Sequence, residues 1–185
     1  MVVSSTLSLL TFPPDIREFI ALCLSQKVEF LLVGGYALAF HGAPRFTEDI
    51  GFMILVSPEN ADKLDQVLKN FGFGGAGISR DDFLEVAQVI HLGRAPNRID
   101  LLTGISGVNW QEAWSSRSTV DLYGLEIPLI GKEALIKNKD GTAWDPWRAK
   151  AISGPGKGKL LERIHAIPSF RKSWLAFHPN SAIAK

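Results

Sequence analysis

Residues 31–56 read "LLVGGYALAFHGAPRFTEDIGFMILV", and the reading of this stretch decides the fold. An apolar run enters the pair Gly34-Gly35, and a short amphipathic piece ends at Gly42. A polar cluster, Arg45-Phe46-Thr47-Glu48-Asp49, then stands in front of a second apolar run. A short continuous apolar run that stops at glycines is the pattern of a buried strand. The stretch therefore predicts a strand over "VEFLLVGG", a short helix over "YALAFHG" and a second strand over "IGFMILVS".

The flanking sequence extends this alternation. "PPDIREFIALCLSQ" (13–26) has Ile16, Phe19, Ile20 and Cys23 at helical spacing, with two prolines suited to a helix start. In "SPENADKLDQVLKNFGF", Ser57 is an N-cap candidate and Leu64, Val67, Leu68 and Phe71 form one apolar stripe. "EVAQVIHLG" and "NRIDLLTG" predict two strands, and "GVNWQEAWSSR" predicts a helix with Val108, Trp110, Ala113 and Trp114 facing inward. "STVDLYGLEIPLI" predicts a hairpin turning near Gly124, and "GKEALIKNK" one more helix. The fold class is α/β (α+β), a small mixed sheet flanked by helices.

Composition excludes several classes. The chain has 185 residues, 46% hydrophobic and 21% charged, which suits a folded globular domain and not a disordered one. Its apolar runs are too short and too broken by glycine to span a bilayer, so no membrane partner is expected. The first residues lack a signal-peptide pattern, and the lone Cys23 suits a reducing compartment, so the expected location is cytoplasmic. Charge divides the chain. Residues 1–139 carry 12 Lys and Arg against 16 Asp and Glu, whereas 140–185 carry 8 against 3. With periodicity lost at the same point, residues 1–139 are expected to form the domain. Residues 140–185 are expected to be a divergent basic C-terminal segment, partly irregular.

Three features carry chemistry. A strand that turns through Gly34-Gly35 into a helix offers bare backbone N–H groups to an anion. Taken alone, such a turn is more often a tight connection. Asp49, at the edge of an apolar strand, is placed to hold a divalent ion, or else to cap a turn or pair with Arg45. Asp100 interrupts the strand of Ile99, Leu101 and Leu102, so its side chain faces either solvent or a polar cleft.

Together these residues resemble the minimal nucleotidyltransferases of the polymerase-beta-like superfamily, in particular the AbiEii-like toxin–antitoxin branch. The pattern is Gly-Gly, a short helix with His-Gly, then Arg-x-Thr-x-Asp-x-Asp. "GRAPNRIDLLTGISGVNWQEAW" resembles the second block and "LEIPLIGKEALIKNK" the third, so the likeness covers roughly residues 15–139. It implies a nucleotidyltransferase fold with Gly34, Gly35, Arg45, Thr47 and Lys139 on the nucleotide side. Asp49 and Asp100 would be the catalytic and metal-binding acids, with Mg2+ or Mn2+ as the ion. It also implies nucleotidyl transfer from a nucleoside triphosphate to an RNA (tRNA included) or protein hydroxyl, and a cognate antitoxin as partner.

The sequence departs from the pattern at Gly51, where the motif Asp-x-Asp has its second acid. Positions 49 and 51 of a strand share a face, and glycine offers no ligand there. Losing one such acid costs about 3 kcal/mol or more of transition-state stabilisation. Three readings follow: a working transferase, a degenerate member that binds nucleotide without turnover, or a non-catalytic interaction component of a toxin–antitoxin or phage-defence system. His41 is expected to pack or hydrogen-bond locally. His91, His165 and His178 show no metal-ligand spacing.

Overall fold

The computed structural model describes residues 12–43, 47–94 and 97–140. The expected C-terminal segment thus lies outside the described residues, as does Arg45. Five helices and six strands alternate through the described chain: α1 (Pro14–Ser25), β1 (Phe30–Val33), α2 (Gly34–Phe40), β2 (Asp49–Ile54), α3 (Pro58–Asn70), β3 (Val89–Leu92), β4 (Arg98–Leu102), α4 (Trp110–Ser115), β5 (Ser118–Leu122), β6 (Leu125–Leu129) and α5 (Lys132–Asp140). The strands make one mixed sheet in the order β3-β4-β2-β1-β6-β5. The sequence-derived fold class holds.

β1 lies in the middle of the sheet, and all four of its residues are buried. It pairs antiparallel with β2 and parallel with β6. Burial on both faces explains why its sequence is a continuous apolar run rather than an alternation. One face of the sheet is closed by α1, whose Ile16, Phe19, Ile20 and Cys23 are buried, and Phe19 meets Phe52 of β2 at 5.9 Å between ring centroids. α3 packs beside α1 and is entered through Ser57, whose side chain accepts from the N–H of Asn60.

Asn60 is fully buried and fully bonded. Its side chain accepts from Glu29 N at 2.8 Å and donates to Glu29 O at 3.1 Å and Leu55 O at 2.9 Å. One amide therefore ties the start of α3 to the approach to β1 and the exit from β2, where Leu55 N also donates to Glu29 O at 3.1 Å.

Local chemistry sets the ends of several elements. α2 closes on Gly42 at φ +89°, with Ala43 N donating to Leu38 O at 2.9 Å, so the glycine takes the left-handed position that a helix terminator needs. The hairpin between β5 and β6 turns on Tyr123 and Gly124, at φ +57° and +76°, the double positive φ that a two-residue turn demands.

Two expectations need adjustment. The strand expected from Glu85 begins only at Val89, because Ala87 has φ +70° and cannot continue an extended run. Ahead of it the sequence reading missed a short 3-10 turn at Arg80–Phe83, capped by Ser79 and Asp82. Among the described residues, no helix is long and apolar enough to cross a membrane.

Candidate active site

The site is written by strand register. β2 and β4 run parallel, with Asp49 opposite Arg98 and Gly51 opposite Asp100. β3 adds His91 opposite Asp100, and β1 adds Val33 opposite Gly51. Cross-strand partners share a face, so Asp49, Gly51, Arg98, Asp100 and His91 all stand on the side of the sheet away from Phe52 and α1.

Arg98 organises the acids. Its guanidinium donates to Asp100 at both oxygens, Nε to Oδ1 at 2.7 Å and Nη2 to Oδ2 at 2.9 Å, and Nη2 also reaches Asp49 Oδ2 at 2.6 Å. His91 Nδ1 donates to Asp100 Oδ1 at 2.7 Å, and Thr47 Oγ1 donates to Asp49 Oδ1 at 2.7 Å. All four carboxylate oxygens therefore accept a hydrogen bond. Charge-assisted, partly two-pronged bonds of this kind are the strong ones.

Burial grades across the pair, the Asp100 side chain being 12% exposed and that of Asp49 37%. Burial would push the Asp100 carboxyl up, but the hydrogen bonds and charges of His91 and Arg98 outweigh it and hold the group below the usual carboxylate range. The Arg98 guanidinium is raised, despite the opposing effect of its own burial, by the same two carboxylates. On α2, burial and then the Asp49 charge push the Tyr36 hydroxyl up.

The glycine pair adjoins the acids. Gly34 has φ +75°, a conformation that favours glycine, and the space beside its Cα is open. A Cβ on Gly35 would stand 2.7 Å from Thr47 Cβ, so the turn and the Thr47–Asp49 pair touch only because residue 35 has no side chain. The first turn of α2 has no side-chain cap.

Of the residues singled out in the sequence, Gly35, next to Gly34, abuts Thr47, Thr47 bonds Asp49, Asp49 and Asp100 meet through Arg98, and Gly51 stands opposite Asp100 in register. Lys139 comes from the last turn of α5, a helix packed on α2. His41 bonds at 2.7 Å to the carbonyl of Ile130, just past β6, a structural contact that is long-range in sequence where a local one was expected.

Sequence reasoning passed over Arg98 and His91. The signal for Arg98 was available, since a residue two before a strand acid shares its face. His91 needs the pairing of β3 with β4, which no spacing along the chain reveals.

The oxygens of Asp49 and Asp100 are engaged by Arg98, His91 and Thr47, and position 51 contributes no donor. Among the described residues, no group of three or more His, Cys, Asp or Glu side chains is arranged to hold a metal ion. As arranged, these donors do not fit a resident divalent cation.

This region and this fold are similar to those of known proteins. Residues 22–104 match the family model described as "Nucleotidyl transferase AbiEii toxin, Type IV TA system", a span that contains every residue of the cluster. The crystal structure of a candidate nucleotidyltransferase from Thermotoga maritima shares the fold at a TM-score of 0.51 and 15% identity, covering 77% of this chain and 92% of that one. The antibiotic-resistance factor ANT(2'')-Ia matches more weakly. Its solution structure gives a TM-score of 0.40 at 15% identity, covering 89% of this chain and 91% of that one. Its crystal structure in complex with adenylyl-2''-tobramycin gives 0.41 at 13%, covering 88% and 96%. No curated protein matches the sequence.

Proposed function

The chain has the nucleotidyltransferase fold and, over residues 22–104, the AbiEii family match, and on that basis we propose that it binds a nucleoside triphosphate with impaired turnover. The polyphosphate lies over the Gly34-Gly35 turn, where bare backbone and the first amides of α2 receive an anion. Thr47 orients Asp49, and Arg45 and Lys139 supply positive charge on the nucleotide side. Asp100, held ionised by Arg98 and His91, is the acid placed to draw a proton from an acceptor hydroxyl on RNA (tRNA among the candidates) or on a protein. Magnesium or manganese, which nucleotidyl transfer uses to offset polyphosphate charge, would first have to displace Arg98 from both carboxylates. A cognate antitoxin is the protein partner that the family suggests.

One observation carries the reading: Asp49, Gly51, Arg98 and Asp100 sit in adjacent register on one face, beside the glycine turn. Calorimetric titration with nucleoside triphosphates, with and without magnesium, tests it. Saturable binding that weakens in a folded Asp49→Asn variant is expected, and absence of binding to every triphosphate would overturn it. Transfer of labelled nucleotide onto total RNA then measures how much catalysis survives.

A second reading is favoured by the span of Arg98 across both acids. A pair already neutralised from within suits a non-catalytic nucleotide-binding or interaction component of a toxin–antitoxin or phage-defence system. That protein would bind nucleotide or partner and show no transfer.

A further inference from the structure

We infer that Arg98 is the resident cation of the Asp49–Asp100 pair and sets its cation specificity, closing the pair to divalent metal ions in the free protein. The inference deepens the proposed function and rests on its placement of the acids at Asp49 and Asp100.

Three observations carry it. First, the guanidinium makes three bonds of 2.6–2.9 Å to two carboxylates on neighbouring strands, so it occupies the space between them. Strands about 5 Å apart leave room there for one cation, not two. Second, the acids are also held from outside the pair: Thr47 donates to Asp49 Oδ1, and His91 shares Asp100 Oδ1 with Arg98. A hard divalent ion needs several oxygens at once and would have to take the place of the guanidinium between the two carboxylates. Third, the position that could offer a further side-chain oxygen beside Asp100 is Gly51, where a Cβ would meet Val33 Cγ2 at 3.3 Å and Leu102 Cδ1 at 3.5 Å, with only the Val33 carbonyl oxygen, at 3.7 Å, as a polar neighbour.

Charge agrees with geometry. Two carboxylates against one guanidinium, with the His91 ring bonded to one of them, leave at most about one negative charge, a weak attraction for a strongly hydrated ion. A third carboxylate would reverse that balance, and this chain lacks it.

The test uses the full chain and Mn2+ alone, followed by calorimetry and by the paramagnetic signal of free Mn2+. Wild type is expected to show no saturable site. Arg98→Gln is expected to gain one, at least about tenfold tighter than any wild-type binding, and to lose it again in Arg98→Gln/Asp49→Asn. Circular dichroism checks that each variant is folded. Should Arg98→Gln not fold, Arg98→Met, similar in length and without charge, is the second variant and is expected to gain the same saturable Mn2+ site. Saturable wild-type binding that Asp49→Asn abolishes would overturn the inference, as would folded variants that bind no more tightly than wild type. No nucleotide is present, so a protein that fails to bind triphosphates would sink the proposed function and leave this titration readable.

Discussion

Gly51 and Val33 are neighbours in the antiparallel pairing of β1 with β2, and a Cβ built on Gly51 would stand 3.3 Å from Val33 Cγ2. The slot where the family pattern has its second carboxylate is therefore narrow but not blocked, since the valine has only to yield by a few tenths of an ångström. Gly51→Asp is expected to fold, at a cost of about 1–2 kcal/mol. It is also expected to raise transfer of labelled nucleotide by at least about a hundredfold, because a third acid joins the face of Asp49 and Asp100. A folded variant with unchanged transfer would place residue 51 outside the reacting centre.

The two turn glycines should respond differently. Gly35→Ala drives a methyl group into Thr47 and displaces it from Asp49, so a loss of about 1–3 kcal/mol and weaker nucleotide binding are expected. Gly34 meets no atom within 4 Å, and its constraint is φ +75° alone. Gly34→Ala should cost about 1–2 kcal/mol, and Gly34→Asn less, since asparagine tolerates that conformation. Melting curves of the three variants separate crowding from backbone strain.

Acid should weaken the fold through Asp100. Its folded carboxyl is held below its ordinary value by His91 and Arg98 against the cost of burial. The group binds a proton more readily when unfolded. Its contribution is fully present above the unfolded value, about pH 4, and is lost as pH falls through the lower folded value. Denaturant midpoints measured downward from neutral pH should therefore drop more steeply below about pH 4 in wild type than in Asp100→Asn. Parallel curves would show that the ion pair contributes nothing to the acid limb.

Asn60 offers a stability test away from the candidate site. Replacing it with alanine leaves Glu29 N and Leu55 O without this partner, while Glu29 O keeps only its bond from Leu55 N. A loss of about 2–3 kcal/mol is expected, read from urea unfolding. Serine at position 60 should recover little, because it cannot span the three groups.

How much of this was legible in the sequence depends on the range of the interaction. Ile16, Phe19, Ile20 and Cys23 declare α1 because their period is local, and Gly42 and Gly124 declare their turns because positive φ is a single-residue property. Asp49 and Asp100 were visible as polar interruptions of apolar strands. Arg98 was legible as a same-face neighbour of Asp100 but not as a partner of Asp49: the two lie 49 residues apart, and only the parallel pairing of β2 with β4 brings them together. His91 illustrates the same limit, its spacing bland and its partner set by register. The late start of β3 was hidden for another reason, since alanine at φ +70° gives no compositional warning.

The parallel union of Leu32 with Leu129 has a consequence for biosynthesis. The ribosome must release most of the domain before the middle of the sheet can close, because β6 is the late partner of an early strand. Until residues 125–129 emerge, the apolar segment Phe30–Val33 presents bare amide and carbonyl groups along one side, a template for mispairing with other nascent copies. Chains cut short after β4 would keep that vulnerability permanently, and their fate in the cell would be aggregation or capture by chaperones.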